Sequence, residues 1–315
     1  MTTVYITHPD CLRHEMGAEH PERPQRLVAI DEHLRRASLL DELRCMAAPL
    51  AEPDDLKRVH APEYVDLIFE QAPTEGYVRL DPDTLMNPHS LAAARRAAGA
   101  GILAVEEVVA GRAENAFCAI RPCGHHATRQ RPMGFCIFNN VAVAAAVALE
   151  RMGLERVAIV DFDVHHGNGT EDIFAEPQWQ ERVLMVGLFQ HPFYPGSGVK
   201  PLGSNMINIP LAAGADGPAA RQVAREKWLP ALEQFKPQLI LISAGFDAHR
   251  DDLLGGLGLV EDDYVWMTQE LMALAARHSQ GRIVSMLEGG YNLDALGSST
   301  LAHVRRLSGE GRLSS

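Results

Sequence analysis

Short apolar runs punctuate the chain, and helical patterns fill the intervals between them. Strand-like runs fall at TVYITH (3–8), AFCAIR (116–121), RVAIVDFDV (156–164), VLMVGLF (183–189), MINIPL (206–211), LILISAGFD (239–247) and RIVSMLEGG (282–290). Several are near-continuous Val, Ile and Leu, the pattern of parallel strands covered on both faces. The stretches 90–111 and 139–153 are Ala-rich helical patterns, and 219–235 and 260–278 are amphipathic ones. Strands alternating with helices predict βαβ units: an α/β fold with a parallel sheet flanked by helices. No linker, repeat or low-complexity segment interrupts the alternation, so one domain over 1–315 is expected.

Polar residues break the apolar pattern where the strands end. RPCGHHA (121–127) follows one strand, DFDVHHGNGT (161–170) ends the next, GFDAHRDD (245–252) ends another and LEGGYNL (287–293) ends the last. Ligands of open parallel sheets bind beyond the carboxyl ends of the strands. Convergence there would gather His125, His126, Asp163, His165, Asp247 and Tyr291 into one crevice.

In an extended strand, alternate side chains share a face. Asp161, Asp163 and His165 could therefore project into one site. Asp163 and His165 with Asp247 would supply two carboxylates and one imidazole, a set suited to a catalytic Zn²⁺ with an open position. Mixed O/N ligation also suits Fe²⁺, Mn²⁺ or Co²⁺. A cation would compensate the desolvation of carboxylates buried at the end of an apolar strand. Taken singly the motifs have plainer readings: Asp247 as a helix N-cap, the paired histidines as core residues, Phe135 and Tyr194 as core aromatics.

Composition narrows the field. The chain has 315 residues, is 46% hydrophobic and carries a formal charge of −12, which argues against nucleic-acid partners. The five cysteines (Cys11, Cys45, Cys118, Cys123, Cys136) show no C-x-x-C pairing and fit a reducing compartment. The N-terminal MTTVYITHP lacks a basic-then-apolar signal pattern, and no apolar run approaches the roughly 20 residues that span a bilayer. A cytoplasmic protein without membrane contacts is expected, and a homo-oligomer is compatible with the sequence.

HPERPQRL (20–27), RPCGHHA, GFCIFNN (134–140), DFDVHHGNGT, GFDAHRDDLLGG (245–256) and LEGGYNL resemble, in order and spacing, the zinc-dependent histone deacetylase superfamily. That superfamily includes bacterial histone-deacetylase-like amidohydrolases, acetylpolyamine amidohydrolases and acetoin-utilization proteins. The match is closer to its class II branch. The resemblance implies the arginase/deacetylase fold with a central eight-stranded, mostly parallel sheet. It implies deacetylation of an acetyl-lysine peptide or protein, or of a small acetylated amine, by metal-activated water.

By the same resemblance Asp163, His165 and Asp247 would hold Zn²⁺, and His125 and His126 would be the tandem catalytic histidines. Asp161 would hydrogen-bond His125, Asn168 would hydrogen-bond His126, and Tyr291 would stabilise the transition state. Phe135 and Tyr194, with Gly134 and Gly290 beside the site, would shape a narrow acyl-lysine tunnel. Leu254 would stand at its rim, Asp83 would clamp the substrate backbone and Arg26 would lie near an internal acetate-exit cavity. A structural K⁺ would be held partly through Asp161 and Asp163.

Four positions depart from the family pattern. Cys123 replaces a usual proline and is a candidate redox-sensitive thiol or a small buried filler. Phe162 replaces tryptophan or leucine and suits packing. Gly187 replaces a serine that often helps bind K⁺. Asn168 replaces the aspartate of class I relatives, and a neutral partner would lower the His126 pKa. His126 is then expected as general base and acid, with His125 cationic beside Asp161. Three alternatives accompany this reading: selectivity for acetylpolyamines, which Leu254 disfavours because a dication would want a carboxylate there; an arginase-like ureohydrolase with two Mn²⁺, which Gly167 disfavours; and a non-catalytic acyl-lysine binder.

Overall fold

The structure is a computed structural model that describes residues 2–309. Its centre is an eight-stranded sheet. The strands are β1 (Thr3–Thr7), β2 (Arg44–Ala47), β5 (Asn115–Cys118), β6 (Val157–Asp161), β7 (Val183–Gln190), β8 (Met206–Leu211), β9 (Leu239–Ala244) and β10 (Ile283–Leu287). They lie in the order β2-β1-β5-β10-β9-β6-β7-β8. Every pairing in this sheet is parallel. A separate antiparallel hairpin joins β3 (Val78–Asp81) to β4 (Thr84–Met86). The central strands β5, β6, β9 and β10 are buried along their whole length, which explains their unbroken apolar runs.

Helices cover both faces: α1 (Gln25–Arg36), α2 (Pro53–Leu56), α3 (Pro62–Glu70), α4 (Ser90–Val109), α5 (Asn140–Glu150), α6 (Asn168–Phe174), α7 (Gly217–Val223), α8 (Leu229–Phe235), α9 (Glu261–His278) and α10 (Leu293–Leu307). The Ala-rich composition of α4 and α5 has a steric cause. They pack on each other and, in α4, close against the sheet; a Cβ on Gly101 would come within 2.6 Å of Met286 Cε. Helix α5 is buried from Asn140 to Leu149 and is apolar all round, as a helix without a solvent face must be. Asn139 caps it by accepting a hydrogen bond from the Ala142 N–H at 3.0 Å.

The predicted strands and helices are present; β5, β6, β9 and β10 are shorter than their apolar runs, because the polar ends of those runs turn out of the sheet, whereas β7 and β8 fill theirs. The pattern at 219–235 is not one regular helix: a π-helical turn at Ala224–Trp228 separates α7 from α8. Strand β2 and the β3–β4 hairpin were not predicted; they are three or four residues long, and β2 lies at an edge with only alternate positions half-buried. Helices α1, α3 and α10 were also missed, although α1 buries Leu27, Ile30 and Leu34 at helical spacing.

Candidate metal and catalytic site

The strands that end in the polar motifs, β5, β10, β9 and β6, are neighbours in the middle of the sheet. Their carboxyl ends therefore open onto a common crevice, and the predicted cluster assembles there. His165 Nδ1 lies 3.0 Å from Asp163 Oδ1 and 3.2 Å from Asp247 Oδ2. One ligand atom from each of these three residues falls within 4.8 Å of the others.

The mechanism that aims these side chains is not strand alternation. Strand β6 ends at Asp161, and Asx-type turns shape the segment from there to His165. Asp161 accepts from the Asp163 N–H at 3.0 Å, and Asp163 accepts from the His165 N–H at 2.9 Å. Phe162 and Val164 are turned away and fully buried. Phe162 meets Phe246, Tyr264 and His303, so its role is packing.

The outer carboxylate oxygens are fixed by backbone. Asp163 Oδ2 accepts from the Gly289 N–H at 2.8 Å, and Asp247 Oδ1 accepts from the Val164 N–H at 2.9 Å. Asp247 Oδ2 is buried without a well-aligned hydrogen-bond partner. Burial and the adjacent Asp163 charge push the Asp247 carboxyl up to about 7. Asp163 also suffers burial, but His125 and His165 outweigh it and hold its carboxyl below the ordinary range. An orphaned oxygen, a carboxyl raised by its neighbour's charge and an imidazole facing both describe a place where a divalent cation fits. Approach is tight: a Cβ on Gly289 would stand 1.9 Å from Asp247 Oδ2.

The tandem histidines sit beside this cluster in contrasting surroundings. His125 Nδ1 pairs with Asp161 Oδ2 at 2.9 Å. Burial alone would lower its pKa, but Asp163, Asp161 and Glu288 outweigh burial and raise it well above the usual histidine value. His126 Nδ1 donates to Asn168 Oδ1 at 2.7 Å. Its pKa is well below the usual value, first through burial and then through the charges of His125 and His165. The direction matches the expectation: burial and the two neighbouring imidazoles lower the pKa, and the upward pull of the neutral Asn168 acceptor does not offset them.

Tyr291 follows Gly290, whose φ of +121° only glycine adopts with ease. The turn is fixed from two sides. Arg26 donates through Nε to the Gly290 carbonyl at 2.6 Å and through Nη2 to the Glu288 carbonyl. Asp252 Oδ2 accepts from the Tyr291 and Asn292 N–H groups at 2.6 and 3.0 Å. Burial raises the Tyr291 phenol pKa well above its ordinary value, so the hydroxyl keeps its proton as a donor.

A pocket of about 420 Å³ leads to this cluster. Its lining includes the expected Asp83, Gly134, Phe135, Tyr194 and Leu254 together with His126, His165 and Tyr291. Gly134 has φ +56°, and a Cβ there would meet His126 Cδ2 at 2.5 Å. Phe135 takes a left-handed φ of 69°, held by its N–H donating to Thr84 Oγ1 at 3.0 Å. Asp83 stands in the β3–β4 turn. Arg26 and Gly290 lie behind the wall rather than in this lining, with the Arg26 guanidinium 4.9 Å from the Tyr291 ring centroid.

Sequence reasoning missed several contributors. Phe193 stacks on His165 at 5.3 Å, and Leu253, Gly255 and Gly256 line the mouth. Asp252 and Thr84 act on backbone, which no residue-type signal announces. Glu288 is fully buried and accepts from the Gly124 and His125 N–H groups at 2.7 and 3.1 Å and from the Ser243 hydroxyl at 3.1 Å. A glutamate closing an apolar strand was the available signal. His166, part of the same acidic and imidazole run, points elsewhere, to Glu171 at 2.9 Å and Ser197. Gly187 pairs with Asp161 across β6 and β7, leaving no side-chain oxygen at that register.

Residues 20–307 match the family model described as histone deacetylase domain. The chain is 39% identical to the histone deacetylase-like amidohydrolase of Pseudomonas aeruginosa over 93% of its own length and 77% of that protein. It is 37% identical to a probable deacetylase of Archaeoglobus fulgidus, over 93% of this chain and 82% of the relative. The crystal structure of the HDA15 HD domain superposes with a TM-score of 0.92 at 36% identity, covering all of this chain and 90% of that one.

Proposed function

Because the chain belongs to the histone deacetylase domain family, we propose that it is a metal-dependent amidohydrolase that removes acetyl groups from acetyl-lysine-type amines. Residues 1–315 act as one catalytic domain in this reading. The observation that carries it is the approach of Asp163, His165 and Asp247 to a common point beside two oppositely tuned histidines and a protonated phenol.

Asp163, His165 and Asp247 would hold the cation, Zn²⁺ in the first instance, with Fe²⁺ or Co²⁺ as alternatives of the same ligand class. When bound, it supplies Lewis acidity toward an amide carbonyl and toward water. His126, neutral because it is buried, takes the proton of the attacking water and returns it to the leaving amine. His125, held cationic by the surrounding carboxylates, offers fixed positive charge to the developing negative charge. Tyr291 donates its hydroxyl to the carbonyl oxygen as charge builds there. Phe135 and Tyr194 would flank the methylene stem of the acylated side chain, and Asp83 would accept hydrogen bonds from the substrate backbone. Structural K⁺ near Asp161 and Asp163 belongs to the same proposal, as does action in the cytoplasm; among the described residues no helix is long and apolar enough to cross a membrane.

A panel of acetyl-lysine peptides, acetylpolyamines and longer acyl-lysines, assayed at defined Zn²⁺ loading, tests the reading. Acetyl-lysine peptides should be hydrolysed, and a panel left wholly unhydrolysed would overturn it. Tyr291→Phe should lower kcat by about 10²–10³ with a smaller change in KM. Asp247→Asn should abolish stoichiometric metal retention, read by elemental analysis after dialysis. One tightly held catalytic ion in the parent protein separates this chemistry from the two-ion ureohydrolase alternative.

A further inference from the structure

Behind the Gly134–Phe135 wall lies a small apolar cluster of Cys123, Ala127 and Cys136, separate from the main core. Both thiols are buried, and their sulfurs are 3.4 Å apart. Each also faces the Gly134 carbonyl, Cys136 Sγ at 3.3 Å and Cys123 Sγ at 3.9 Å. Glu288 is close enough to complete a three-ligand group with the two sulfurs. Its oxygens, however, already accept from two backbone N–H groups and the Ser243 hydroxyl. The sulfurs are left with each other, which favours sulfur–sulfur chemistry over a second ion.

We propose that Cys123 and Cys136 are a redox modification site, a dithiol that peroxides close to a disulfide, and that closure disables the adjoining site. The chain position of each cysteine gives the consequence. Cys123 is two residues before His125, and Cys136 directly follows Phe135, the residue in left-handed conformation. Going from 3.4 Å to the about 2.05 Å of a disulfide moves one or both segments. Gly134 runs so near the His126 ring that even a Cβ there would come within 2.5 Å of Cδ2, so that side has little room to take up movement.

Cys123 is the attacking thiol. It retains slight exposure, whereas Cys136 is fully buried and burial raises its pKa. Cys123 sulfur bonds to one peroxide oxygen as the O–O bond breaks, giving a sulfenic acid and one water. Cys136 sulfur then attacks the Cys123 sulfur; the S–O bond breaks, the S–S bond forms and a second water leaves. The two thiols lose two protons and two electrons, which peroxide accepts.

The test uses the full-length, metal-loaded Cys45→Ser protein, because Cys45 is exposed and would report unrelated oxidation. After hydrogen peroxide treatment, the intact mass should fall by two hydrogens. Cleavage after Arg129 should leave peptides carrying Cys123 and Cys136 joined until reduced. Deacetylase turnover should drop about tenfold or more, a loss typical of displaced catalytic groups, and dithiothreitol should restore it. Methionine sulfoxide would not be reversed in this way. Cys123→Ser and Cys136→Ser should keep basal turnover and lose the sensitivity.

The claim fails if no 123–136 bond forms at peroxide levels that oxidise Cys45 in the parent protein. It also fails if the bond forms with turnover unchanged, or if Cys123→Ser is inactivated like the parent. The effect on turnover rests on the deacetylase reading. The mass measurement does not, so failure of one is distinguishable from failure of the other.

Discussion

The tandem histidines are adjacent in sequence and opposite in electrostatics, and the difference lies in what each Nδ1 touches. Asp161 meets His125 with a full charge, whereas Asn168 meets His126 with an amide oxygen. Asn168→Asp should therefore raise the His126 pKa. As a base His126 works only when neutral, so the acidic limb of kcat/KM should move to higher pH. A pH–rate profile of the variant checks this, and an unmoved limb would remove His126 from the role of base. At this scale the clustering was legible, because the carboxylates, imidazoles and phenol that gather at the crevice stand in short motifs at strand ends. Asp252, Thr84 and Glu288 were not, since each acts on backbone N–H groups or a turn. Such contacts carry no residue-type pattern and become visible only once the chain has folded.

At the scale of elements, α9, α10 and β10 are tied by one buried histidine. The Thr268 hydroxyl donates to the Tyr264 carbonyl, so it must accept from His303 Nδ1, and the Ser285 hydroxyl donates to Nε2. That network needs neutral imidazole. Burial holds the His303 pKa down to about 3 against an ordinary 6.5. The unfolded chain thus binds a proton that the native protein refuses between those values. The stabilising contribution is complete above pH 6.5 and is lost as pH falls toward 3. Denaturant titrations of chelator-treated protein across this range should show a shallower pH slope for His303→Gln than for the parent. Identical slopes would contradict the neutral network. Helices α4, α5 and α9 and the central strands were readable because period or apolar content holds over many residues, whereas α10, also long, was not. The β3–β4 hairpin and β2 were not, because a few residues at an edge have too little burial to impose a pattern.

For the whole molecule, the sheet order concentrates charge. Four central strands deliver carboxylates and imidazoles to one end of a core that is otherwise apolar. A cation bound there favours the native state alone. Free Zn²⁺ at about a hundredfold over its Kd should add about 2.7 kcal/mol of stability. Calorimetry with and without chelator should show Tm falling by several degrees on metal removal. Unchanged Tm would mean that the cluster neutralises itself. The α/β class was legible from alternation, but strand order was not: β5 lies between β1 and β10, partners remote in sequence, and local pattern is silent about such pairing. One such remote tie has a practical outcome. Arg26, on α1, clamps the carbonyls on either side of Gly289 near the far end of the chain. An Arg26→Ala protein would still contain Asp163, His165 and Asp247, both tandem histidines and the tyrosine. Its phenol would nevertheless have lost the anchor that aims it, so one substitution on a helix remote in sequence should read in assays as a damaged centre.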